Sequence, residues 1–209
     1  MMAAAPLRNR ALLELAAVLL TGATFLVFEN VLGWKLPFII LCSLVWGAYL
    51  LRRAVREPAV FREWGIRTDN LRKASLLAGG FLLVGAAAML SYRLALGWRP
   101  LPATALLIFA IYPVWSFIQQ FLVQALVTRN LRDLGLPAKA IIPISAVVFG
   151  LCHLPDWPLV GLCVVAGAFW TAIYLAVPNL LPLAVTHGWL GAITYYCILL
   201  RDPWAEMFG

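Results

Sequence analysis

Apolar residues gather into seven runs with short polar stretches between them: Ala11–Phe28, Leu36–Leu51, Leu76–Leu90, Ala103–Val127, Ile141–Leu154, Leu159–Val177 and Leu180–Leu200. The runs are continuous and do not alternate at period two, which excludes a transmembrane β-barrel. A helix needs ~20 apolar residues to cross a bilayer. The pattern therefore predicts an all-α, polytopic membrane bundle of about seven transmembrane helices. The fifth run is short, so it is expected to be tilted, broken or partly re-entrant. The longest polar loops are Arg52–Ser75 and Thr128–Ala140.

Composition sharpens this picture. Of 209 residues, 64% are hydrophobic and only 12% charged, and mean hydropathy is +0.92. A water-soluble surface cannot be built from such a chain, and disorder is excluded. The whole of 1–209 reads as one integral membrane domain. The net charge of +7 does not indicate nucleic acid, because the basic residues stand at the ends of apolar runs and act as orientation signals. With the N-terminus inside, twelve Lys and Arg lie inside, most of them in Arg52–Ser75, and four lie outside: Lys35, Arg93, Arg99 and Arg201. This predicts a multi-pass protein of the inner (cytoplasmic) membrane, with its N-terminus in and its C-terminus out. Trp34, Trp98, Trp157 and Trp204 fall on the outer side, as an interfacial belt does. The segment Met1–Arg10 resembles a signal-peptide n-region without a clean cleavage site and is expected to lead an uncleaved first span. Cys42, Cys152, Cys163 and Cys197 sit within apolar runs and read as packing residues. The small-residue stretch Ala78–Ala88 reads as a close-packing helix face.

Polar side chains inside a membrane are costly and mark candidate sites. Tyr112, Ser116, Gln120, Gln124 and Thr128 recur every four residues in the fourth run, with Gln119 on the flank. Such a stripe must face the bundle interior. Taken alone, it reads as hydrogen-bonding glue between helices at about 0.6–2 kcal/mol per contact. A second polar cluster is Phe149–Pro158, containing His153 and Asp156, and a third is Asn179–Gly191, containing His187. His153 and His187 are the two histidines of the chain. At ~1.5 Å per residue, Gln119, His153 and His187 lie roughly 13, 18 and 10 Å from the inner boundary. They are therefore expected to share one level and converge on one pocket. A zinc set of His153, Asp156 and His187 is conceivable by ligand type, but its spacing matches no zinc motif. Asp156, framed by Pro155 and Pro158, reads better as a residue at a turn or helix end.

In this order, the three clusters resemble the CPBP family, the CAAX-protease and bacteriocin-processing (Abi) intramembrane glutamic-type peptidases. Their motifs are Glu-Glu-x-x-x-Arg, Phe-x-x-x-His and His-x-x-x-Asn/Asp. Phe149…His153 matches the second motif. His187, preceded by Asn179-Leu-Leu-Pro, matches the start of the third. The first motif reads Gln119-Gln120-Phe-Leu-Val-Gln124, and Gly191 stands at the last position of the third. The resemblance covers about 101–200. It implies a CPBP-like four-helix core there, after three N-terminal transmembrane helices in 1–100. It also implies an endopeptidase acting on a peptide or protein substrate in or near the bilayer, in which a glutamate activates water while histidines and an asparagine steady the oxyanion. Carried over, the site residues are His153, His187, Gln119, Gln120 and Gln124, with no cofactor and no metal. A carboxamide cannot serve as a general base, so whether the chain is an enzyme stays open. The alternative is a non-catalytic CPBP-fold protein that binds a peptide, a lipid-linked partner or another membrane protein. A small-solute transporter fits less well, because no inverted repeat is visible.

Overall fold

The computed structural model describes residues 5–97 and 100–208. Trp98 and Arg99, both counted above on the outer side, lie outside the described residues, as does Gly209. Each apolar run forms a helix. These are α1 (Ala5–Asn30), α2 (Lys35–Arg56), α4 (Leu71–Ala95), α5 (Ala105–Asp133), α6 (Ala138–Leu151), α7 (Trp157–Ala176) and α8 (180–199). Two short helices, α3 (Val60–Glu63) and α9 (Pro203–Phe208), lie in the polar segments. No strand occurs among the described residues.

Five helices, α1, α2, α4, α5 and α7, are long and apolar enough to cross a membrane. The 14-residue α6 rises only ~21 Å, short of a hydrocarbon core of ~30 Å. The fifth run is thus a short helix, as its length predicted. Leu13, Leu44, Leu83 and Leu106 point outward with 67–78% of their surface exposed. Such a belt has no place in water and suits acyl chains.

The two ends of the bundle are tied by polar contacts, and these alternate as short-loop connectivity requires. At one end, the start of α1 meets the ends of α2 and α5. Arg10 pairs with Glu57 at 2.8 Å, and Asn130 Nδ2 donates to Glu14 Oε2 at 2.7 Å. The turn between α7 and α8 docks there as well. Asn179 caps α8 by accepting from Leu181 N at 3.1 Å, and its Nδ2 donates to Arg67 O and Asn70 Oδ1, both at 2.8 Å. Leu180 N donates to Gly65 O at 2.8 Å. Gly65 has φ +84°, and a Cβ there would stand 3.1 Å from Asn179 N and from the Tyr174 ring. Only glycine gives both that backbone angle and that approach.

At the other end, Asn30 Nδ2 donates to Leu154 O at 3.2 Å, and Asp156 opens α7. Its carboxylate accepts from Leu159 N at 3.1 Å and pairs with Arg201. Asp156 is thus a helix-end residue, as expected. Burial alone would raise this carboxyl, but the Arg201 hydrogen bond prevails and holds it below the ordinary carboxylate value. The stability that the pair contributes is therefore present above the unfolded carboxyl pKa of about 4. It is lost as pH falls through the lower folded value. Asp156→Ala should lose the cap, about 1 kcal/mol, together with the pair. Asp156→Asn should keep the cap and lose the pair only. In thermal melts, its deficit against the unaltered protein should be visible at pH 7 and close toward pH 3; a deficit constant with pH would contradict the assignment.

Candidate functional site

The four-residue stripe on α5 is legible because the helix changes its winding. In an α-helix, a spacing of four drifts by about 40° per step, which would carry Thr128 well away from Ser116. From Phe121 to Thr128 the helix is π-wound. Such wider turns are frequent at functional sites, and here they keep the polar positions turned inward. Ser116, Gln120, Gln124 and Thr128 are all at least 98% buried, and Tyr112 is half-buried.

Two polar connections leave this stripe. In the first, Gln124 Nε2 donates to Thr171 Oγ1 on α7 at 3.3 Å, and Thr128 Oγ1 donates to Gln124 Oε1 at 2.9 Å. Thr128 Oγ1 also lies 2.9 Å from Ser145 Oγ on α6. Gln124 and Thr128 together thus tie α5 to α6 and α7. In the second, Gln120 Nε2 donates to His187 Nδ1 on α8 at 3.2 Å. With Nδ1 accepting, the imidazole proton sits on Nε2, which leaves one N–H donor. Gln120 Oε1 is buried and has no hydrogen-bond partner. An unpartnered buried acceptor is uncommon.

The ring of His187 is held between aromatic faces. It tilts against Trp170 at 4.6 Å and meets Phe149 edge-on at 5.1 Å. Trp170 Nε1 donates to Thr186 Oγ1 at 3.3 Å, which fixes that indole. The other edge of the cluster belongs to His153, whose ring meets Phe149 at 5.3 Å. His153 follows the end of α6. Its Nδ1 lies 3.1 Å from Phe149 O, and its Nε2 lies 3.7 Å from Cys163 Sγ on α7. A proton on Nδ1 serves the carbonyl and leaves Nε2 to accept from the thiol. Phe149 thus stands between the two histidines and packs against both rings.

α8 approaches α5 through Gly188. A Cβ there would lie 2.6 Å from Pro113 N and 2.8 Å from the carbonyl carbon of Tyr112. Proline has no N–H, so this close approach buries no donor at Pro113. Gly191, one turn on, faces the Tyr112 ring, 3.8 Å from where its Cβ would be.

Of the five expected residues, Gln120 and His187 are in direct contact, and His153 joins them through Phe149. Gln124 is turned to Thr171 and Thr128 instead. Gln119 is half-buried and has no hydrogen-bond partner among the described residues. Asp156 pairs with Arg201, so His153, Asp156 and His187 do not form a ligand set. Sequence reasoning did not pick out Ser145, Thr171, Thr186, Trp170 or Cys163. Single hydroxyls, rings and thiols in apolar runs carry no spacing signal of their own.

Comparison with known proteins bears on this region. Residues 99–193 match the family model described as Type II CAAX prenyl endopeptidase Rce1-like. No curated protein and no solved structure matches the chain. The matched stretch begins just before α5 and ends at Ile193, where α8 passes into its own π-wound end. It contains every glutamine and histidine described above, and it leaves α1, α2, α3 and α4 outside. Residues 99–193 of this multi-pass membrane protein are therefore similar to the Rce1-like CAAX endopeptidases, over the same stretch that carries the CPBP-like sequence pattern.

Proposed function

We propose that this chain is a CPBP-type membrane protein that binds a peptide or protein chain at Gln119, Gln120, Gln124, His153 and His187, with little or no hydrolysis. The observation that carries this is the pair made by Gln120 and His187. It leaves one unpartnered acceptor, Gln120 Oε1, and one ring N–H, His187 Nε2–H, on the two partners of one contact. An acceptor and a donor together are what the N–H and C=O groups of a peptide backbone require. A carboxamide provides this recognition without any capacity to take a proton from water. His153 and Phe149 form the wall beside it, and Gln124 holds the helices that frame it.

The test uses the full chain in nanodiscs and a fluorescent prenylated peptide ending in a CAAX sequence, the ligand class that the family description suggests. Binding should be measurable by anisotropy and should weaken about tenfold in His187→Ala, the equivalent of losing a hydrogen bond in an apolar site. His187→Gln, which keeps a side-chain N–H, should recover part of the loss. Absence of binding, or binding unchanged in both variants, would refute the reading.

Orientation belongs to the same proposal. The arginine-rich end holding Arg10, Arg53 and Arg129 is assigned to the cytoplasm, and Arg201 to the outer side. The unequal distribution of basic residues supports this. Single cysteines placed in the Arg52–Ser75 loop of a variant lacking the native thiols should resist an impermeant maleimide until the cells are opened. Labelling from outside would reverse the topology.

A further inference from the structure

A cavity of about 310 Å³ lies where α1 begins and α5 ends, lined by Arg8, Arg10, Glu14, Arg53, Glu63, Arg129, Asn130 and Asp133 among others. None of the glutamines or histidines of the candidate site borders it. Its carboxylates are already engaged. Glu14 accepts from Tyr49, Arg53 and Asn130. Glu63 pairs with Arg129 Nη2 at 2.7 Å, and Asp133 lies 3.3 Å from Arg129 Nε.

Donors are left over. Arg53 is 94% buried, and its Nε has no hydrogen-bond partner. Arg129 Nη1 is likewise buried and unpartnered. Arg8 lines the same space, with no carboxylate partner among the described residues. Buried guanidinium N–H groups left unsatisfied are expensive, and two of them, on arginines that line one cavity of ligand size, describe a place for an anion.

We propose that this cavity binds a phosphate group, held by Arg8, Arg53 and Arg129. Guanidinium groups suit tetrahedral phosphate oxygens. The proposal is independent of the peptide site. The phosphate is either the headgroup of an anionic lipid or free phosphate, and the two are separable by experiment.

Purified protein in neutral detergent is titrated with dihexanoyl phosphatidic acid, dihexanoyl phosphatidylcholine and inorganic phosphate, and the thermal midpoint is read. Phosphatidic acid should raise the midpoint in a saturable manner, and phosphatidylcholine should not. Inorganic phosphate acting as well as phosphatidic acid would assign free phosphate; inorganic phosphate without effect would assign the lipid headgroup. Arg129→Gln should weaken the apparent affinity about tenfold, whereas Arg129→Lys, which keeps the charge, should lose much less. Arg8→Gln, on an exposed residue that folding does not depend on, should weaken it as well. No shift with either phosphate probe, or equal shifts in the unaltered protein and in Arg8→Gln and Arg129→Gln, would overturn the proposal.

Discussion

Gly188→Ala should be among the most damaging single substitutions in the chain, costing about 3 kcal/mol of stability as an overpacked contact. The added methyl would lie 2.6–2.9 Å from three backbone atoms of Tyr112 and Pro113. Backbone cannot swing aside as a side-chain tip can, so α8 must lift away from α5. The Gln120–His187 contact, made by the neighbouring residue, should open with it. The expected result is a lowered unfolding midpoint in detergent together with weakened peptide binding. Gly79→Ala and Gly161→Ala are the controls, since a Cβ at either position meets nothing within 4 Å. Both should be neutral or slightly stabilising, because alanine is the better helix former. A Gly188→Ala protein that melts and binds like the unaltered one would show that the α5–α8 crossing is looser than described.

Much of this arrangement could be read from the sequence for a physical reason. In a membrane, a polar side chain has few places to go, so the stripe of Ser116, Gln120, Gln124 and Thr128 had to face inward. Phe149…His153 and His187 were legible because each motif occupies one short stretch of chain. Asp156 as a cap followed from the prolines around it. What was not legible depends on contacts between distant segments. The π winding of Phe121–Thr128 leaves no composition signal, yet it decides which residues share a face. Glu14 stands in the first apolar run with no motif around it. Its partners Tyr49, Arg53 and Asn130 come from two other helices, and no local pattern links them. Gln120 and Gln124 looked alike in the stripe, and only tertiary contacts separate one with an unpartnered oxygen from one bonded to both Thr128 and Thr171. The pairing of His153 Nε2 with Cys163 Sγ was equally out of reach, because the thiol looked like any other small residue in an apolar run.

The unmodified protein should show little or no glutamate-dependent cleavage of a membrane peptide, and Gln119→Glu with Gln120→Glu should restore it. Water activation by the family pattern requires a carboxylate, and an amide neither accepts nor returns a proton near neutral pH. A positioned general base is worth about 10²–10⁴ in rate, so the doubly substituted protein should gain on that order. The Gln120→Glu carboxylate would arise within hydrogen-bonding distance of His187, where the amide now lies 3.2 Å from Nδ1. The Gln119→Glu carboxylate would arise at a half-buried position with no competing partner. Each single variant should therefore be made as well. A base role at 119 and a supporting role at 120 predict that Gln119→Glu alone gains rate and that Gln120→Glu adds to it. In the doubly substituted background, His153→Ala and His187→Ala should each reduce turnover, as the loss of preorganised donors does. Robust cleavage by the unmodified protein that disappears in His153→Ala would refute the non-hydrolytic reading and move the base role to a histidine. In that event His153 is the group to follow, because its Nε2 already faces a thiol at 3.7 Å, and Cys163→Ala would separate a thiol-dependent reaction from one in which His153 activates water directly. If the doubly substituted protein binds the peptide and still does not cleave it, the glutamines are not what silences the site. The departures at Gln124 and Gly191, where the family motifs carry Arg and Asn or Asp, then become the positions to restore.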